Sequence, residues 1–165
     1  MRVPIRKPGK YTHEKADPNM TDKKYQELKN KLEKILKLTR PPLIEEVKRL
    51  ALMGDFSDNA AYSIAKGRLR GLNQKIIEIE DLLKRAVIIK KSNTSYVDLG
   101  CVVTIETDGK KSKYQILGST ETNPTKGVIS HNSPIGALLM GKKAGDEVKV
   151  KTKNGEKIYK ILEIE

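Results

Sequence analysis

Two long stretches of three-and-four spacing fill the first half of the chain, and a two-residue period takes over in the second. Thr21 has the character of an N-cap. After it, Tyr25, Leu28, Leu32 and Ile35 fall at the 3-4-3 steps of a coiled-coil seam. Leu36, Leu43, Val47 and Leu50 carry an apolar stripe onward, displaced by one position just before Pro41-Pro42. Proline inside a helix removes a backbone donor and crowds the preceding turn, so one kinked helix is expected here. Tyr62, Ala65, Leu69, Leu72, Ile76, Ile79, Leu83 and Ala86 repeat the alternation and make this segment the antiparallel partner of the first. Two helices of about 25–30 residues give a rod of roughly 40 Å, with little core of its own.

Beyond Ala86 the period changes. Cys101–Ile105, Tyr114–Leu117, Val128–Ser130, Glu147–Lys151 and Lys157–Ile164 read as strands, with Asp108-Gly109 and Asn154-Gly155 as hairpin turns. Ser133–Met140 reads as a short helix with Pro134 in its first turn. The expected fold class is α+β. An antiparallel α-helical coiled-coil hairpin spans 21–88, with an acidic tip at 54–59, and a compact α+β domain spans 89–165. Ser92–Ser95 forms part of the join. Residues 1–20 are basic, hold three prolines and show no periodicity, which predicts a flexible basic arm.

Charge changes this picture. A net charge of +12, spread along the chain, points to a polyanion or an acidic protein surface as partner. Cys101 is the only cysteine, so an internal disulfide and a cysteine-based zinc site are excluded. No apolar run approaches the ~20 residues of a membrane span, and Met1–Met20 lacks an apolar signal core. A cytoplasmic protein is expected.

The bend between the helices reads Gly54-Asp55-Phe56-Ser57-Asp58-Asn59. Ser57, Asp58 and Asn59 all suit an N-cap of the outgoing helix. Asp55 and Asp58 can also share a hard cation through oxygen, although two carboxylates are too few for a closed Mg²⁺ site. Such a metal would be completed by a second molecule. Lys48 and Arg49 before the tip, and Lys66, Arg68, Arg70 and Lys75 after it, suit phosphate contacts. The residues alone leave two readings open: metal delivery to a phosphodiester, or a capped and solvated turn. His13 and His131 have no base–nucleophile spacing around them.

Several segments resemble the bacterial Gre transcript-cleavage factors over about residues 21–165. They are Arg40-Pro41, Gly54-Asp55-Phe56-Ser57-Asp58-Asn59-Ala60-Ala61-Tyr62, Lys66, Ile129-Ser130-His131-Asn132-Ser133-Pro134-Ile135, Gly141-Lys142 and Gly145-Asp146. Ala51-Leu52-Met53 and Lys66-Gly67-Arg68-Leu69-Arg70 look closer to the B branch of that family. The resemblance implies a hairpin that enters the secondary channel of RNA polymerase. There Asp55 and Asp58 help hold Mg²⁺ at the polymerase's own active centre, supported by Ser57 and Asn59, and backtracked RNA is cut. Lys66, Arg68 and Arg70 place three cations within about a helical turn and are expected to contact RNA or channel carboxylates, Lys66 and Arg70 together on one face and Arg68, nearly opposite, less. Docking on the polymerase β′ subunit would run through Asn132, Ser133 and Pro134 of an FKBP-like C-terminal domain. The implied partners are RNA polymerase, the nascent RNA 3′ end and, secondarily, DNA, for a monomeric factor that is not itself an enzyme. Two departures stand out: Asp58 occupies a position where the family usually has Glu, and Ala61 one where an acid is common. They keep open a channel-occupying regulator without cleavage activity. A prolyl isomerase is disfavoured, because residues 87–165 hold only Tyr96, Tyr114 and Tyr159 as aromatics.

Overall fold

The computed structural model of the protein describes residues 16–53, 60–90, 95–152 and 155–165. A helical hairpin leads into an α+β sheet domain. The incoming limb runs through α1 (Asp22–Lys34), a π turn (Ile35–Thr39) and α2 (Arg40–Leu52); α3 (Ala60–Arg85) is the outgoing limb. Thr21 caps α1, its side chain accepting a hydrogen bond from the Lys24 N–H at 3.2 Å.

The π turn gives the displaced stripe its physical meaning. Leu28 and Ile35 are buried and Leu32 half-buried, but Leu36 is 41% exposed. Leu36 therefore does not continue the seam as the spacing predicted. The next inward position is Arg40, five residues after Ile35, and its N–H donates to the Ile35 carbonyl across the wide turn. Leu43, Val47 and Leu50 then follow, all half-buried. An uninterrupted α-helix would instead have turned Thr39, Pro42, Glu46 and Arg49 toward α3. One extra residue in one turn keeps the apolar side in phase.

The two prolines sit at the start of α2, where a missing N–H costs least. The Lys37 carbonyl would look to Pro41 for an α-type donor and to Pro42 for a π-type donor, and neither has one. The wide turn and the prolines thus share a single fault in an otherwise continuous helical limb.

The hairpin's buried residues concentrate at its base: Met20, Leu28, Ile35, Ile76 and Ile79, with Tyr25, Leu32, Leu72 and Leu83 packed around them. Met20, placed in the arm by sequence, is 0% exposed. It belongs to β1 (Asn19–Met20), which pairs in parallel with β2 (Val87–Ile88) just after α3. The end of the predicted arm is therefore a strap across the hairpin base. A strand this short, with no repeating pattern, leaves no periodic trace in a sequence.

The second domain holds a five-stranded sheet in the order β5-β4-β3-β7-β6, where β3 is Val102–Thr107, β4 Lys110–Leu117, β5 Val128–Ser130, β6 Glu147–Thr152 and β7 Gly155–Ile164. Only β5 runs parallel to its neighbour. Thr107 pairs with Lys110 across the Asp108-Gly109 turn, and both turn residues have positive φ, 51° and 73°. Gly155, expected in a turn, is already in β7 opposite Thr152. Val103, Ile105, Ile116, Ile129, Val148 and Ile161 form the core, closed by Leu139 from the short helix α4 (Pro134–Leu139). Residues 92–94 of the expected join lie outside the described residues.

Gly118 marks the closest approach between strap and sheet domain. A Cβ there would stand 1.8 Å from the Asn19 carbonyl oxygen. Because backbone meets backbone, no side-chain rotation relieves the clash. Gly118→Ala should cost about 1–3 kcal/mol. A thermal melt should then show the midpoint lowered by several degrees, and an unchanged midpoint would mean that strap and turn separate freely.

Candidate functional site

Asp55, Ser57, Asp58 and Asn59 lie outside the described residues. What the structure fixes is their frame. Leu52 and Met53 end α2 at 88% and 68% exposure, and α3 resumes at an exposed Ala60. The seam toward this end is thin: of the outgoing limb only Ala65, Ile76 and Ile79 are buried among the described residues. Among the described residues no three His, Cys, Asp or Glu side chains cluster closely enough to hold a metal ion.

Lys66, Arg68 and Arg70 are all exposed. Lys66 and Arg70 line one groove of about 440 Å³ together with Ser63, Gly67, Leu69 and Asn73, and Arg68 is not part of it. Helical geometry accounts for the split, since residues four apart share a face and residues two apart do not. Lys66 Nζ lies 5.6 Å from the centroid of the Tyr62 ring, within cation–π range. Asn73 at the groove's inner edge accepts a hydrogen bond from Arg40 Nε at 3.0 Å. The pair occupies the seam position opened by the π turn. Sequence periodicity passes over it because both residues are polar.

At the predicted docking surface the structure separates the three residues. Asn132 and Pro134 are exposed. Ser133 is turned inward as the N-cap of α4: its hydroxyl donates to the Ser130 carbonyl at 2.6 Å and accepts from the Gly136 N–H at 3.0 Å. The loop is tied further inward, for the Asn132 N–H donates to Ser130 Oγ at 3.0 Å, and Ser130 Oγ lies 2.9 Å from Ser119 Oγ.

The sequence reading missed the residues that join the two domains. Both carboxylate oxygens of Glu121 engage Thr21, one accepting from its N–H at 2.7 Å and the other from its hydroxyl at 2.6 Å. Asp17, its side chain 6% exposed, accepts from the Ser119 N–H at 2.8 Å and from the Asn19 backbone at 3.1 Å. Burial pushes the Asp17 carboxyl up, but the hydrogen bonds from Ser119 and Asn19 and the nearby His131 outweigh it. The net position is below the ordinary carboxylate value. Partners about a hundred residues apart share no local pattern, so only the capping character of Thr21 was visible.

Comparison with known proteins divides the chain at this joint. Residues 19–88 match the family model for the transcription elongation factor N-terminal domain, and residues 91–165 match the one for the transcription elongation factor GreA/GreB C-terminal domain. The protein is thus of the transcription elongation factor class. The chain belongs to the GreA/GreB family. Transcription elongation factor GreA of Nitratiruptor sp. is 37% identical over 155 residues, covering 92% of this chain and 94% of that one. The GreA of Macrococcus caseolyticus is 40% identical over 149 residues, covering 88% and 94%. Among solved structures, GreA factor homolog 1 (Gfh1) of Thermus thermophilus is 27% identical with a TM-score of 0.40, covering 86% of this chain and 94% of that one. The two relatives carry the GreA name, and no comparison supports the B-branch likeness of the tip flanks.

The inward Ser133 gives a test that separates fold from docking. Ser133→Ala should lose about 1 kcal/mol as a helix cap, which lowers the melting midpoint by about 2–4 °C for a chain of this size. Asn132→Ala should leave the midpoint within a degree, because only its backbone is engaged. Calorimetry of both variants checks the assignment.

Proposed function

We propose that the protein inserts its hairpin into the secondary channel of RNA polymerase and stimulates the polymerase's own cleavage of backtracked RNA, rescuing arrested complexes in the cytosol. The observation that carries this reading is the family membership of both halves, together with a hairpin whose limbs converge on residues 54–59. A rod with its buried residues at the base and exposed apolar residues at the far end is built to reach into another molecule.

In this reading Asp55 and Asp58 are the tip's working groups. Two carboxylate oxygens suit a hard cation such as Mg²⁺, and the remaining ligands come from the polymerase. When bound there, the ion supplies an activated water and neutralises charge developing on the phosphodiester. Ser57 and Asn59 hold the turn. Lys66 and Arg70, sharing their groove, contact the extruded RNA or channel carboxylates, and Arg68 acts apart from them. Asn132 and Pro134 meet the β′ subunit at the channel rim, while Ser133 shapes their loop. The sheet domain thus anchors, and the hairpin delivers.

The deciding experiment is RNA cleavage in a backtracked polymerase complex with and without the protein. Asp55→Ala or Asp58→Ala should lower the stimulated rate by about 100-fold or more, the size expected when a metal ligand is lost, and binding to the polymerase should persist. Wild-type rates in both variants would remove the metal-delivery role. Tight binding without any stimulation by the wild type would assign the protein to channel occupancy, which the shorter Asp58 favours.

The groove makes a separate prediction. Each lost phosphate contact should flatten the dependence of log affinity on log salt by about 0.7 for a single strand. The Lys66→Ala, Arg70→Ala double variant should therefore flatten that slope by about 1.4 and crosslink less to the RNA 3′ end, whereas Arg68→Ala changes both less.

A further inference from the structure

The hairpin is a lever with a small fulcrum. From Asp22 to Leu52 the incoming limb extends about 45 Å, so a swing of about 5° at its base moves the far end by about 4 Å. Chemistry at a tip does not tolerate such a swing, since a displacement of about 1 Å can cost on the order of 100-fold in rate. Something at the base must hold the angle.

Among the described residues, one short stretch of chain is held on both sides at this base. Asp17 and Thr21 flank the strap β1, four residues apart, and each is held by the same turn, Ser119–Glu121 of the sheet domain. A single contact would act as a pivot, whereas two contacts on either side of a strand define a direction. Between them Asn19 presses against Gly118, with no room for a Cβ. On the hairpin side the strap is bonded to the end of α3 and the strand that follows it: Arg85 Nη1 donates to the Ala16 carbonyl at 3.1 Å, and the Val87 and Ile89 N–H groups donate to the Pro18 and Met20 carbonyls, both at 2.9 Å. On the other side Ser119 Oγ lies against Ser130 Oγ, which accepts from the Asn132 N–H. The hydrogen bonds run without a gap from the hairpin base to the loop of Asn132 and Pro134.

We infer that Glu121 and Asp17 are positioning residues that set the angle of the hairpin against the docking loop and so aim the tip. Glu121 is the stronger of the two, because its carboxylate sits at the N-terminus of α1, where the exposed N–H groups and the helix dipole favour negative charge. Its two charge-assisted bonds fix Thr21 in both backbone and side chain. The effect on cleavage rests on the proposed function; the effect on geometry does not.

Two measurements on the full-length protein separate these. Spin labels at Gln74 on α3 and Lys149 on β6, both exposed and outside the proposed machinery, report the angle in the free protein by pulsed electron resonance. Wild type should give one narrow distance. Glu121→Ala should broaden or shift it, and Asp17→Ala should do so independently. Glu121→Gln should restore most of it, because an amide oxygen still accepts the Thr21 N–H and an amide N–H can donate to the Thr21 hydroxyl. In the cleavage assay, Glu121→Ala should lower the maximal rate by about 10- to 100-fold, with the half-maximal concentration unchanged because the docking loop is intact. A narrow, unshifted distance in both alanine variants overturns the inference. So does a broadened distance with an unchanged maximal rate, which would leave the joint a structural fastener only. A wild type with one narrow distance that stimulates no cleavage would instead count against the proposed function, with the geometric claim standing. Circular dichroism confirms that the helices persist in each variant.

Discussion

A two-helix rod buries too little of itself to stand alone, and this one depends on what is clamped across its base. Met20, withdrawn completely from solvent, lies with Leu28, Ile35, Ile76 and Ile79 in the one cluster of buried side chains that the hairpin forms among the described residues. Removing that apolar surface from water is the main favourable term available to the arm. From there outward the limbs meet through half-buried residues such as Leu43, Val47, Leu50 and Leu69, with Ala65 buried between them. Stability is therefore graded along the rod, greatest at the sheet domain and least toward the exposed Leu52 and Met53.

The same base solves a second problem. Domains joined by a short connection move relative to each other unless an interface stops them. Here the interface is small but polar and specific: a bidentate carboxylate on Thr21, a second carboxylate on the Ser119 amide, and a backbone contact at Gly118. Apolar burial holds the rod together, and directional hydrogen bonds decide where it points.

What could be read from the sequence follows from this division. Elements stabilised by repetition were legible: β5 was placed at Val128–Ser130, α4 fell within the predicted Ser133–Met140, and both limbs were bounded by their seam. The one-residue displacement near Pro41 was also visible, but it was assigned to a proline kink with Leu36 inside, whereas a π turn puts Arg40 there and turns Leu36 out. The joint was illegible because Asp17 and Glu121 act singly, across the chain. Of the candidate site, the tip acids and the basic flank were named by residue type and resemblance; Asp55 and Asp58 lie outside the described residues, and Lys66 and Arg70 share a groove. Ser133 could not be told from its neighbours without seeing which way its hydroxyl turned.

The wide turn at Ile35–Thr39 separates two quantities that an unbroken helix locks together, the number of residues in a limb and the phase at which its far end meets its partner. In a regular α-helix an inserted residue rotates everything beyond it by about 100°. Here the surplus residue is absorbed within one turn, among side chains that face solvent, and every inward position from Arg40 onward keeps its bearing. The limb carries its own tolerance for errors of count. A lineage could shorten the chain at this spot by one residue, closing the wide turn to an ordinary α turn, without changing which face of α2 meets α3.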